Sequence, residues 1–290
     1  MRVAAVVAIS AIGIIFTRCA PRVHFPRVEA SSQHVQDASI VPPERLLSEL
    51  RNLYDRGFDQ VIGSLIEGDS AINRPLFELR RFRDESVGWA ELRGSAFYAL
   101  EDGYRSGGWL VVVPPGHDLL SRMQSTLQLD PNPQLNVILI KPERVTELWA
   151  GLFLIHELSH LADRALGAES PEPDVEEYLM GELRAFGLEM MAANGVTRGD
   201  FYRRLDRVLD EWQAGSVEEF VHRVRSMTVA DVERISASVL SELAASDAER
   251  RLRNGFYSVA LLIRYAERKR LPDDELIRGL GLLMTGALSH

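Results

Sequence analysis

The sequence predicts an α+β fold in which a small twisted sheet packs on one long helix and the rest of the chain is mostly helical. Short runs rich in β-branched residues, separated by Gly and Pro, lie between residues 95 and 141. From Pro142 onward, apolar residues recur at the three- and four-residue spacing of amphipathic helices. The composition, 46% hydrophobic and 26% charged over 290 residues, is that of a globular chain that can bury a large core.

The first 20 residues are predicted to be a signal peptide or a membrane anchor. Arg2 is followed by a mostly apolar run of 14 residues, Val3 to Phe16, which suits a signal-peptide core better than a span of about 20 residues. Arg18 stands before Cys19, where a lipoprotein signal has a small residue, and adds positive charge after the run. An exported or membrane-anchored protein of the cell envelope is therefore expected. A cytoplasm-facing anchor and a buried N-terminal helix are the alternatives.

A proline-rich linker over residues 21–43 is predicted to join this segment to one folded domain over residues 44–290. Four prolines flank a polar stretch that runs from Ser31 to Asp37. The domain is expected to begin with a helix over residues 44–66, because five apolar residues there follow a 3.6-residue period. These residues are Leu46, Leu47, Leu50, Leu53 and Tyr54.

Three strands are predicted next, at Ser95–Leu100, Trp109–Val113 and Leu135–Lys141. The segment between the first two contains two adjacent glycines, which suits a hairpin or a loop. The third strand leads through Pro142 into a long helix. Asp174 is predicted to cap the following helix in a capping box with Glu177, and Asn194-Gly195 to end it. The helices expected after the long one cover residues 175–193, 199–213, 216–226, 229–245, 247–269 and 273–287.

Net charge and cysteine content exclude several classes of function. A net charge of −9 and an isoelectric point near 5.4 do not favour nucleic acid as a partner. The densest basic cluster, Arg80–Arg83, is followed at once by Asp84 and Glu85, which predicts a solvated surface of mixed charge. Cys19 is the single cysteine, so an intrachain disulfide and a cysteine-based zinc site are both excluded.

The segment His156-Glu157-Leu158-Ser159-His160 carries the clearest chemistry in the chain. On a helix, the two histidines lie one turn apart on the same face. Two imidazoles at this spacing can hold one metal ion, usually zinc. Glu157 is placed to take a proton from a zinc-bound water and to pass it to a leaving amine. The neighbouring helix positions are apolar, and buried histidines are costly without a partner. A coincidental pair of core histidines is the alternative.

Helix geometry selects Glu182 as the third metal ligand. Gly167 is predicted to end the motif helix, so His160 lies roughly 10 Å from the turn. On an adjoining antiparallel helix, Glu182 lies roughly 11 Å in, which is level with the histidines. Glu177 falls too near the turn, and Glu189 lies roughly 21 Å in, beyond the histidines. For Glu182 alone, a surface carboxylate is the alternative.

Five further residues suit supporting roles at such a site. Asp163 and Glu189 can each accept a hydrogen bond from the second nitrogen of a ligand histidine, or can be charges that face the solvent. Stabilisation of a developing oxyanion needs a nearby donor, and Tyr178 is the nearest candidate. Tyr202 and His222 are the candidates behind it. Packing or surface roles are the alternative for all three.

The two histidines with Glu157, together with Glu182-Leu183-Arg184-Ala185, resemble the gluzincin class of metallopeptidases, of which thermolysin is the familiar member. The resemblance covers roughly residues 135–193. It implies a zincin-like fold, a zinc ion held by His156, His160 and Glu182, and Glu157 as general base. In similar enzymes a sheet edge pairs with an extended peptide substrate. Leu135–Lys141 or Trp109–Val113 can take that part, unless the strand is an inner one.

The predicted function is therefore zinc-dependent hydrolysis of a peptide bond in a peptide or protein substrate, with no nucleic-acid partner and with membrane attachment through the N-terminal segment. One alternative is a non-catalytic, mostly helical cell-envelope binding or scaffold protein, in which the histidine pair is structural or vestigial. Another alternative keeps the zinc but takes a non-peptide amide as its substrate.

Overall fold

The computed structural model describes residues 43–65, 73–100, 105–132, 135–143, 145–168, 170, 173–236 and 247–287. The predicted signal or anchor over residues 1–20, and the linker up to residue 42, lie outside the described residues. The strands are β1 Val87–Arg93, β2 Ala96–Ala99, β3 Gly108–Val112, β4 Leu127–Leu129 and β5 Val137–Ile140. The helices are α1 Pro43–Gly63, α2 Arg74–Ser86, α3 Glu147–Ala165, α4 Val175–Val196, α5 Asp200–Trp212, α6 Val217–Arg225, α7 Val229–Ile235, α8 Asp247–Lys269 and α9 Asp273–Ala287. The α+β class is therefore confirmed.

The five strands form one mixed sheet in the order β2-β1-β3-β5-β4. The three central strands are parallel to one another, and the two edge strands, β2 and β4, are antiparallel to their neighbours. One face of the sheet carries Trp89, Leu110 and Ile138 into the main core beneath the helices. The other face is covered by the segment that follows β3, where Met123 packs on Val111 and Leu139.

Two strand predictions need correction. Ser95–Leu100 and Trp109–Val113 do not pair with each other, because β1 lies between them. The tight turn is instead at Gly94, whose φ of +60° suits glycine, and it joins β1 to β2. β1 itself was not predicted, since Glu91 and Arg93 break its apolar run. The hairpin alternative for the segment between these two strands is therefore wrong, and residues 101–104 lie outside the described residues.

The helix that carries the histidine motif, α3, lies at the centre of the molecule. Thr146 caps its first turn by accepting a hydrogen bond from the Trp149 N–H. α1 and α4 both pack against α3, while β4 and β5 contact it from the sheet. Trp149 extends from α3 into the C-terminal helices, where its ring meets Phe256 at a centroid distance of 5.9 Å. The motif is therefore held from every layer of the fold.

The helical part follows the sequence predictions closely. Gly167, with a φ of +69°, ends α3 as expected, and Asp174 caps α4 by accepting from the Glu177 N–H. The prediction of a capping box is wrong, however. The Glu177 carboxylate accepts a hydrogen bond of 2.6 Å from the Ser170 N–H instead of one from the backbone N–H of Asp174. α7 ends at Ile235, ten residues before the predicted end, and residues 237–246 lie outside the described residues. None of the described helices is long and apolar enough to cross a membrane.

Candidate metal centre

The two motif histidines lie on one face of α3, as the spacing predicts. Their ring centroids are 5.1 Å apart, and the side chains of His156 and His160 are only 13% and 12% exposed. The neighbouring residues Ile155 and Leu158 are fully buried in the main core. The apolar side of the helix is thus fixed by the core, which presents the histidine side to the adjoining helix α4.

Glu182 lies level with both histidines on α4. One of its carboxylate oxygens is 3.5 Å from His156 Nε2, and the other is 3.7 Å from His160 Nε2. Ala185, one turn farther along α4, is fully buried, so the two helices approach closely there. Among the residues that the structure describes, His156, His160 and Glu182 form a group whose ligand atoms lie within 4.8 Å of one another and can hold a metal ion.

The donor set fits a divalent ion of zinc size. Zinc bonded tetrahedrally at about 2.0–2.1 Å separates neighbouring ligand atoms by about 3.4 Å, close to the distances of Glu182 from the two histidines. His160 Nε2 is buried and has no hydrogen-bond partner in the structure. Buried polar atoms are normally paired, so this nitrogen is accounted for if a metal ion takes its lone pair.

The electrostatics keep two of the three ligands in their metal-binding protonation states. Burial lowers the pKa of His160 to about 4 against the opposing charge of Glu182, and the positive charges of His156, Arg184 and Arg164 act in the same direction as burial. Burial alone would raise the pKa of Glu182, but the two histidines bring it down to about 2. At neutral pH, His160 is therefore a neutral imidazole and Glu182 a carboxylate, which is what metal binding requires.

His156 is oriented by two residues of α4. Its Nδ1 lies 3.2 Å from the Glu189 carboxylate, and the Phe186 ring packs edge-on against it at a centroid distance of 4.5 Å. Glu189 is almost completely buried. Of the two carboxylates that were candidates for this supporting role, Glu189 therefore contacts a ligand histidine. Asp163 instead pairs with Arg184 at 3.1 Å.

Glu157 faces the sheet rather than α4. Its carboxylate accepts a hydrogen bond of 2.8 Å from the backbone N–H of Leu129 in the edge strand β4. Burial raises the pKa of Glu157 to about 7, against the opposing effects of the His156 charge and of the Leu129 N–H. A carboxyl group with a pKa near neutrality can both take and return a proton at physiological pH.

The three candidate donors for an oxyanion have different surroundings. Tyr178 is 44% exposed, and its side chain is one of the groups that lower the pKa of Glu182, so it lies beside the three candidate ligands. The Tyr202 N–H donates to the Asn194 side chain, 12 residues beyond Glu182 on α4 and roughly 18 Å along it. His222 is exposed on α6. The structure therefore brings only Tyr178 of these three candidates to the site.

Both strands that were considered for pairing with a peptide are inner strands. Trp109–Val113 corresponds to β3 and Leu135–Lys141 to β5, and each has a neighbour on both sides. The sheet edge beside Glu157 is β4, which was not predicted because Leu127-Gln128-Leu129 is too short to show a strand pattern. Sequence reasoning also missed Arg164, although it follows His160 by one helical turn.

No protein-family model, no curated protein and no solved structure matches this chain. The function assigned to the chain therefore depends on the geometry and electrostatics of the site itself.

Proposed function

We propose that the chain is a zinc-dependent hydrolase of peptide bonds, with a zincin-like arrangement of its site. The juxtaposition of three ligand side chains with Glu157 carries this proposal. His156, His160 and Glu182 meet on one side of α3 and α4, and Glu157, the neighbour of the first ligand, faces an edge strand. A purely structural metal site is usually closed by four protein ligands, whereas a three-ligand set leaves room for a water or a substrate.

The roles of the residues follow from their positions. His156, His160 and Glu182 would hold the ion, and Glu189 would keep the His156 ring in place. A zinc ion bound there supplies a Lewis acid and lowers the pKa of a water towards about 7. Glu157 takes a proton from the attacking water as the new carbon–oxygen bond forms. It then returns a proton to the amine as the carbon–nitrogen bond breaks.

The edge strand β4 supports a peptide as the substrate. In the ladder between β4 and β5, the Asp130 N–H donates to the Val137 carbonyl, while the N–H of the preceding residue, Leu129, points to the other side and meets Glu157. An extended peptide can add to such an edge by backbone hydrogen bonds. Tyr178, exposed beside Glu182, would donate a hydrogen bond to a developing oxyanion.

The direct test of the chemistry is Glu157→Gln, which removes the proton acceptor and preserves the shape of the side chain. We expect the variant to bind zinc like the native chain but to cleave a mixed peptide library about 10²–10⁴-fold more slowly, as mass spectrometry of the products would show. Glu147→Gln is the matched control, because Glu147 lies in the first turn of the same helix and pairs with Arg56 at the surface. Native-like turnover by Glu157→Gln would exclude the proposed mechanism.

A further inference from the structure

Helix α3 holds the strand β4 at two points. The Glu157 carboxylate accepts from the Leu129 N–H at 2.8 Å, and Arg164 Nη1 donates to the carbonyl of the next residue, Asp130, also at 2.8 Å. The same nitrogen lies 3.2 Å from the Leu135 carbonyl and 3.4 Å from that of Asn132. Glu157 and Arg164 are seven residues apart and therefore share one face of the helix.

These contacts matter because β4 is a short strand at the edge of the sheet. It has three residues, pairs with β5 along one edge and is contacted by α3. Three residue pairs of an antiparallel ladder give little resistance to opening of the strand. The polar contacts from α3 therefore contribute substantially to holding β4 and the residues that directly follow it, 130–132.

The proposed reaction uses one of the two contacts. Glu157 takes and returns a proton while one of its carboxylate oxygens accepts from the Leu129 N–H. Of the two contacts described above, the one from Arg164 takes no part in the chemistry. Arg164 does not change its charge at physiological pH, and its planar fork of donors suits several carbonyl oxygens converging on it.

We propose that Arg164 is a positioning residue, which fixes strand β4 and the carbonyl groups of Asp130, Asn132 and Leu135 against the motif helix while Glu157 takes part in the reaction. The effect of Arg164 on the order of β4 is independent of the proposed function, whereas its effect on turnover rests on that function. Arg164 also lies in the last turn of α3, where a positive charge interacts favourably with the helix dipole, so the side chain is stabilised in this place.

The test compares Arg164→Met, which keeps an apolar stem but removes the donors, with Arg164→Lys, which keeps the charge and a compact donor. The matched control is Arg225→Met, because Arg225 also donates to a backbone carbonyl, that of Leu282, but in the C-terminal helices. The full-length variants are compared by hydrogen exchange of residues 126–137, by zinc content, by thermal unfolding and by kcat/KM on the mixed peptide library.

We expect exchange at Leu129 and its neighbours to accelerate about ten-fold in Arg164→Met, less in Arg164→Lys, and not at all in Arg225→Met. Zinc content should stay native in all three variants. kcat/KM should fall about ten-fold in Arg164→Met and recover in part in Arg164→Lys, without following the melting temperature.

Unchanged exchange over residues 126–137 in Arg164→Met would overturn the proposal. Faster exchange with native kcat/KM would overturn the role of Arg164 in positioning for catalysis. Faster exchange in the variant, together with a native chain that binds zinc and cleaves no peptide, would support the clamp on β4 and contradict the proposed function. The two failures are thereby distinguished.

Discussion

At the scale of single residues, the second contact of His156 is the feature that most favours a metal site over a chance cluster of side chains. Glu189 is buried against Nδ1 of His156, while Phe186 fixes the plane of the ring. A hydrogen-bonded carboxylate behind a ligand histidine fixes the orientation of the ring and makes the imidazole a better donor to a metal. The site is thus organised beyond the three atoms that would touch the ion.

Glu189→Gln should weaken zinc binding by about 10–100-fold, because the amide keeps the size of the side chain but not the negative charge that favours His156 as a ligand. Competition with a zinc-sensitive dye measures the affinity. Glu176→Gln, in the first turn of the same helix, is the control and should bind zinc like the native chain. Equal affinities of the Glu189 variant and the native chain would show that the contact does not serve the metal.

Zinc uptake at pH 7 should release about one proton from the protein. Burial alone would lower the pKa of His156, but Glu182 and Glu189 outweigh it and raise the pKa well above its ordinary value, so the metal-free ring carries a proton at pH 7. Metal binding requires the neutral imidazole, and the proton must leave. Calorimetry in buffers with different ionisation enthalpies counts the protons, and a binding enthalpy that is the same in every buffer would contradict this account.

At the scale of the elements, the motif helix is positioned by a backbone contact with α1. A Cβ added to Gly57 would lie 2.0 Å from the Glu147 carbonyl oxygen, and one added to Gly151 would lie 2.3 Å from the Gly57 carbonyl oxygen. Only glycine at both positions lets the two helices come so close. This crossing sets the depth of α3 in the core, because Gly151 lies four residues after the start of the helix and five residues before His156.

Gly151→Ala should destabilise the chain by about 1–3 kcal/mol, because the added methyl group meets backbone atoms that cannot move independently. Gly187→Ala in α4 is the control, since a Cβ there meets nothing within 4 Å and alanine favours the helix. Chemical denaturation measures both free energies of unfolding. A Gly151→Ala chain as stable as the Gly187→Ala chain would mean that the helices do not cross at this point.

The helices after Pro142 were predictable because each buries one face and shows that face as a regular apolar spacing. The same regularity makes depth along a helix calculable, which is how Glu182 was chosen over Glu177 and Glu189. The role of Glu189 was harder to foresee, because a long side chain can reach back along a helix, and the axial distance of its backbone does not show this.

The sheet was less predictable for physical reasons. β1 is buried on both faces and yet carries Glu91 and Arg93, which are paired with each other at 2.9 Å, so that its pattern is that of neither an inner nor an edge strand. The contact of Leu129 with Glu157 joins two segments 28 residues apart, and such a contact leaves no local signal.

The helix α2 has a strongly charged sequence. Ion pairs within it, such as that of Arg74 with Glu78 at 2.8 Å, stabilise it locally.

At the scale of the whole molecule, the three candidate ligands lie on two neighbouring helices at the centre of the fold. α3 contacts the sheet and α1, and α4 contacts the C-terminal helix α8. α8 in turn packs on α5, where the rings of Phe256 and Phe201 are stacked 5.5 Å apart. An ion that bridges α3 and α4 therefore links the layers of the molecule, and its binding energy adds to the stability of the whole chain.

Saturating zinc should raise the free energy of unfolding by about 4 kcal/mol when the free zinc concentration is 1,000 times the Kd, which corresponds to roughly 10 °C in Tm. Thermal unfolding with zinc and with a chelator measures the difference. His160→Ala should show no difference between the two conditions. A native chain that melts at the same temperature in both conditions would contradict a metal bridge between α3 and α4.

The most direct test of the metal centre is the zinc content of the purified full-length chain after removal of loosely bound metal. The account predicts about one zinc ion per chain in the native protein and in His222→Ala, where an exposed histidine is removed, and little or none in His160→Ala and Glu182→Ala. A native chain without zinc after incubation with the metal, or one whose zinc survives both ligand substitutions, would contradict it.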